Sequence, residues 1–92
     1  MPELFPNPLQ ALLREARLET IEIFQESQAS GKLIRELELR SKTGASAVGI
    51  ERANESIVNP GPDEEIHAGD RLLLLGHPAQ IEAAKTLLSL RK

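Results

Sequence analysis

The apolar positions change period twice along the chain, and each change marks a boundary. Leu9, Leu12, Leu13 and Ala16 recur at helical spacing, and Asn7-Pro8 ahead of them supplies a cap and a first-turn proline. The pattern predicts an amphipathic helix of roughly ten residues, too short to hold its shape alone. It either docks on its own domain or links that domain to a preceding one. Residues 1–5 read as an irregular lead. From Glu19 the period falls to two: in Glu19-Thr20-Ile21-Glu22-Ile23-Phe24, polar and apolar residues alternate, which predicts a half-buried strand with Ile21 and Ile23 inward. The polar stretch 25–31 predicts a loop. Leu33, Ile34 and Leu37 predict a short helix over 32–37, capped by Ser30, with Leu39 continuing into the core. Residues 40–44 predict a turn in which Gly44 takes a positive φ.

The centre of the chain, residues 45–62, predicts a hairpin. Residues 45–50 are small and apolar, with Val48 and Ile50 sharing a face and Gly49 signalling a bulge or a close backbone approach. Arg52-Ala53-Asn54-Glu55 is the turn, with Asn54 suited to the left-handed region. Ser56-Ile57-Val58 returns, and Pro60 and Pro62 end the pairing because proline has no amide to donate. After a tight turn at His67-Ala68-Gly69-Asp70, four consecutive leucines, Leu72 to Leu75, predict the most buried strand. The last helix begins near Pro78, with Ile81, Ala84 and Leu88 on one face, and Arg91 and Lys92 suit its dipole. The fold class is α+β: a small mixed sheet of about four strands with helices packed on it.

Composition narrows the function. The 92 residues make one domain, 40% hydrophobic and 27% charged, with two Phe and no Tyr or Trp, so the core is aliphatic. The net charge is -3 and basic residues are interspersed with acidic ones, without the basic patch and aromatic platform of a nucleic-acid binder. No nucleic-acid partner is therefore expected. No cysteine is present, which excludes disulfides, thiolate metal sites and cysteine nucleophiles. No apolar run reaches the ~20 residues of a membrane span, and the first residues do not have the pattern of a signal peptide.

No catalytic constellation is legible. His67 and His77 flank opposite ends of one strand and read as solvent-facing turn residues. Asp63-Glu64-Glu65 lacks the spacing of a calcium loop, and no glycine-rich phosphate loop occurs. Neither an enzyme activity, a cofactor nor a metal is expected. What remains is Ile57-Val58-Asn59-Pro60-Gly61-Pro62, where Asn59 offers a two-way hydrogen-bonding group between rigid neighbours, Ile57 and Val58 offer apolar surface, and Arg52 can meet an anion. By itself this stretch reads better as a plain hairpin exit with a proline stop than as a site.

Gly31-Lys32-Leu33, Glu36-Leu37-Glu38-Leu39-Arg40, Thr43-Gly44-Ala45, Val48-Gly49-Ile50, Ile57-Val58-Asn59-Pro60 and Ala68-Gly69-Asp70-Arg71-Leu72-Leu73-Leu74-Leu75-Gly76 together resemble the RCK C-terminal domain, also called TrkA-C. The resemblance implies residues 1–18 as lead and connector helix and 19–92 as a regulatory domain of a potassium channel, a potassium uptake system or a cation:proton antiporter. The segment 7–19 resembles the connector of Kef-type antiporter tails. It further implies a cytoplasmic homodimer at the inner face of the membrane, serving a transporter in the same chain or a separate subunit. A small ligand such as cyclic di-AMP would sit in the dimer cleft, with Arg52, Asn54, Ile57, Val58, Asn59 and Pro60 as site residues. The alternative is a ligand-free dimerisation module. The family's frequent nucleotide-binding Rossmann partner is not implied, since no G-x-G-x-x-G occurs. The Arg52-Ala53-Asn54 turn stands where a more glycine-rich turn is expected.

Overall fold

A computed structural model describes residues 15–92 of the chain. The helix expected before residue 15 lies outside the described residues, apart from its last positions. The elements in order are β1 (Arg17–Glu22), α1 (Ile34–Leu37), α2 (Leu39–Thr43), β2 (Ser46–Arg52), β3 (Glu55–Val58), β4 (Arg71–Gly76) and α3 (Pro78–Ser89). They form an α+β domain around one four-stranded sheet of order β1-β4-β2-β3. All three pairings are antiparallel, so the sheet is not mixed. The leucine-rich β4 is central because it pairs on both sides.

Strand alternation sorts the side chains into two faces. One face carries the row Ile21, Leu72, Ile50 and Ile57 in register across all four strands. Leu72 and Leu74 are fully buried there, in one cluster with Ala84 and Leu88 of α3. Leu73 and Leu75 face the other way and are half-buried, so the four leucines do not make a strand buried on both sides. Lys85 of α3 pairs with Glu19 of β1 at the margin of the core. Ile23 lies just past β1 and is fully buried, whereas Phe24 is exposed.

Several local expectations are corrected. Ser30 does not cap α1; the Leu33 amide is instead capped by the Glu36 carboxylate at 2.8 Å, and Leu33 is the N-cap residue. Residues 40–44 are not a turn. Residues 40–43 belong to a second short helix, α2, separated from α1 by Glu38 in the left-handed region (φ 50) and closed by Gly44 (φ 84) as its C-cap. Gly44 has a second reason to be glycine, because a Cβ there would lie 2.5 Å from Gln80 Nε2. Arg91 and Lys92 lie beyond the end of α3; Ser27 bridges to Arg91, and the Lys92 amide donates to Glu26.

Two polar devices tie this frame together. Ser27, buried, donates its hydroxyl to the Leu88 carbonyl at 2.6 Å and accepts from the Ala29 amide at 3.1 Å, fixing the 24–30 loop to the end of α3. Asp70, 1% exposed, receives Arg52 Nε at 2.9 Å and Nη2 at 2.8 Å in a bidentate pair, and the His67 amide at 2.8 Å. The same guanidinium donates to the Glu65 carbonyl at 2.8 Å and pairs with Glu64 at 3.4 Å. The Asp70 carbonyl in turn accepts the Ile23 amide at 2.8 Å. The end of β2, the 64–67 loop and the start of β4 therefore meet at one carboxylate, and the segment just past β1 is held by the backbone of the same residue.

Burial pushes the Asp70 carboxyl up, but the hydrogen bonds from Arg52 and His67 and the positive charge of Arg52 outweigh it and hold the group below its ordinary value. A depressed carboxylate adds stability that is fully present above the unfolded value of ~3.9 and is lost as pH falls through the lower folded value. In urea titrations the wild-type chain should hold its stability from neutral pH down to about pH 4 and lose it below. Asp70→Asn should lose about 3 kcal/mol at pH 7, because a guanidinium is left without its carboxylate, and should show a shallower acid dependence. Ser27→Ala should lower stability by about 2 kcal/mol, since two buried backbone groups lose their partner, and thermal melting would register it.

Candidate functional site

The hairpin β2–β3 places the sequence-predicted residues on different sides. Arg52 pairs with Glu55 at the closing position, and Ala53-Asn54 form a two-residue loop. The positive φ falls on Ala53 (φ 48), not on Asn54. A mirror-image hairpin turn requires that conformation at its first loop residue to match the strand twist, which overrides Asn54's intrinsic tolerance. Asn54 is exposed at the tip, about 13 Å along the strand from Val58. Arg52 and Ile57 lie on the core face. Ile57 packs on the core, and Arg52 is engaged by Asp70, Glu64 and the Glu65 carbonyl. The hydrogen bonds to Asp70 push the guanidinium still further above its already high value against the effect of burial, so it is a permanent cation held in a closed set of partners.

Val58, Asn59 and Pro60 do come together, at the exit of β3. Val58 points to the opposite, outer face and is 79% exposed. Asn59 is exposed and holds a left-handed backbone (φ 50), and its amide donates to the Val48 carbonyl at 3.0 Å. Val48 sits where the β2–β4 register shifts between Ala47 and Gly49, so the bulge anticipated at Gly49 is present one residue earlier. The bulge and the turn of Asn59 are thus joined by one hydrogen bond. Beside them the outer face carries a second row, Thr20, Leu73, Gly49 and Val58, in register across the four strands. A shallow hollow of about 290 Å³ lies over this row, with Glu51, Ser56 and Arg71 on its polar side.

Gly49, Thr20 and Leu73 line the hollow but are not among the residues that the sequence points to. Leu73 was recoverable from strand alternation, which sends it away from Leu72 and Leu74. Thr20 was not, because β1 joins β4 only through the sheet order. His67 and His77 are both exposed, as expected, with His67 Nε2 3.7 Å from Glu65. Among the described residues no group of three or more His, Cys, Asp or Glu gathers to hold a metal ion. None of the described helices is long and apolar enough to cross a membrane.

Comparison with known proteins gives this geometry its setting. The chain is 36% identical over 61 residues to the Ktr system potassium uptake protein C of Bacillus subtilis, covering 66% of this chain and 28% of that protein. It is 30% identical over 63 residues to Potassium channel protein 1 of Methanocaldococcus jannaschii, covering 68% of this chain and 19% of that one. The match thus spans less than a third of the length of either curated relative. Among solved structures, the RCK_C domain dimer of S. agalactiae BusR in complex with c-di-AMP superposes with a TM-score of 0.72 at 35% identity, over 80% of this chain and 97% of that one. S. agalactiae BusR in complex with its busA-promotor DNA superposes with a TM-score of 0.74 at 28% identity, over 99% of this chain and 43% of that one. The expectation that nucleic acid plays no part is corrected by this complex. The charge and aromatic pattern of 92 residues describes only its own surface, whereas BusR carries the same kind of module in a chain more than twice as long. Residues 18–89 match the family model of the TrkA-C domain, and the chain belongs to that family.

Proposed function

We propose that the chain is a ligand-sensing regulatory module of a potassium transport system, working as a cytoplasmic homodimer whose cleft takes cyclic di-AMP. The transport protein it serves is a channel, an uptake system or an antiporter, in the same chain or in a separate subunit. The observation that carries the reading is the exit of β3, where an exposed Val58 is followed by Asn59 in a left-handed backbone. Its support is the likeness to the BusR domain dimer, whose complex contains c-di-AMP, at 35% identity. Asparagine enters the left-handed region more readily than most non-glycine residues, and here that turn leaves its side chain exposed beside Val58 at the strand exit. Two such exits related by a two-fold axis present matching apolar and amide groups, which suits a ligand with the same symmetry.

In this arrangement Val58 and Pro60 cover apolar ring surface and Asn59 bonds to a polar edge. Asn54 contributes from the hairpin tip, and Ile57 supports the strand from below. Arg52 serves the site indirectly: its pair with Asp70 holds the base of the hairpin. Ligand binding to the paired form shifts the population toward that form, and the shift is what the transport protein would feel.

Calorimetric titration with cyclic di-AMP tests the reading. The expected outcome is saturable heat at one ligand per two chains, a dimer by light scattering, and a melting temperature that rises with ligand concentration. Asn59→Ala should bind about tenfold more weakly, the loss of one hydrogen bond in a desolvated site. A chain that gives no heat and no melting shift with cyclic di-AMP overturns the ligand assignment. A chain that stays monomeric at all concentrations overturns the dimer.

A further inference from the structure

Leu18, Phe24, Val58 and Leu90 are the large apolar side chains left exposed among the described residues. Val58 belongs to the strand exit, and Phe24 and Leu90 follow the ends of β1 and α3. Leu18 differs in its position. It is 60% exposed and lies at the start of β1, just after the point where the described chain begins at Glu15. Its register partner is Leu75, and Leu75 in turn pairs with Ser46. Opposed residues of neighbouring strands point to the same side of a sheet. Leu18 and Leu75 therefore make an apolar pair on the outer face, at the end of the sheet where β1 begins.

A second hollow, of about 280 Å³, opens at the same end. It runs from Glu15 and Ala16, ahead of β1, past Leu75 and Gly76 of β4 to Ser46 and Gly44 at the start of β2, and its wall is mostly apolar. The strand order β1-β4-β2 makes that a width of two interstrand spacings, about 10 Å. The apolar stripe Leu9, Leu12, Leu13 and Ala16 ends in this hollow, because Ala16 is part of its wall. At 1.5 Å per residue the stripe is about 10 Å long as a helix, which matches the width of the hollow. A helix this short needs an apolar surface to pack on. The stripe lacks a support, the Leu18 side chain lacks a cover, and the two adjoin in the chain.

We infer that residues 8–16 lie across this end of the sheet, with Leu12 and Leu13 seated on Leu18 and Leu75 of the same chain. The occupant of the outer face at this end is the chain's own N-terminal segment. Leu73, two positions along β4, faces the same side, so the seat and the hollow beside Val58 share one face of the sheet. A seat of this kind fixes the direction in which the connector leaves the domain, and it requires no ligand at the strand exit.

The test uses the full chain labelled with ¹³C at the Leu methyls. Nuclear Overhauser contacts from Leu12 and Leu13 to Leu18 and Leu75 are expected, and in a mixture of labelled and unlabelled chains they should stay within one chain. Leu12→Ser with Leu13→Ser should release the segment, so that trypsin cuts after Arg14 about tenfold faster while the rest of the domain stays folded. Leu18→Ser should lower the melting temperature of the wild-type chain by about 5 °C. The same substitution should change nothing in the Leu12→Ser, Leu13→Ser chain, where its contacts are already gone. An exposed side chain with no cover would show no such loss. Absent contacts, equal cleavage rates, or a Leu18→Ser chain that melts with the wild type each overturn the inference. Contacts found only between labelled and unlabelled chains overturn it as well, and assign this face to a second copy.

Discussion

The placing of the hairpin against the rest of the sheet depends on the bidentate pair between Arg52 and Asp70. Asp70 is almost wholly enclosed, and it accepts from a guanidinium on β2 and from the His67 amide of its own turn. An enclosed carboxylate without partners would be strongly unfavourable. The fold therefore cannot keep Asp70 where it is unless the hairpin base, the 64–67 loop and the start of β4 are all in place. The pair acts as a condition on the tertiary structure more than as a source of net stability, since the desolvation of two charges offsets much of their attraction.

This constraint also divides the hairpin into two faces with different duties. Arg52 and Ile57 are drawn to the core side, one by Asp70 and the other by the apolar cluster. Val58 and Gly49 are left on the outer face, and the bulge at Val48 sets the turn of Asn59 through one backbone hydrogen bond. The outer face is thereby held on a rigid support, with its exposed residues standing on a sheet whose other face is packed.

The family setting and the local geometry agree without duplicating each other. Relatives that are potassium channels and uptake proteins, and a neighbour seen as a dimer with c-di-AMP, surround the TrkA-C family to which the domain belongs. The promoter-bound neighbour shows that such a module also occurs in a DNA-binding chain. The small regulatory unit is thus separable from the output it is attached to.

Periodicity along the chain was enough for the strands, the last helix, the inward side of Ile21, the burial of Ile23, Leu39, Ile81, Ala84 and Leu88, and the positive φ of Gly44, because each depends on residues close in sequence. The motif at residues 68–76 with Ile57-Val58-Asn59-Pro60 carried the family. Tertiary structure alone decided the rest. Arg52 read as a cation open to an anion because Asp70 is 18 residues away and nothing local announces their pairing. Ser30 lost the cap to Glu36, and residues 39–43 became helix, because the chain there packs under α3 and against β2. Asn54 yielded the left-handed position to Ala53 because hairpin twist acts on the loop as a whole. The outer row of Thr20, Leu73, Gly49 and Val58 draws on four strands, and only the sheet order brings them side by side. A sequence shows which residues can face one way along a strand; which strands lie next to each other is settled by the long-range burial that closes the core.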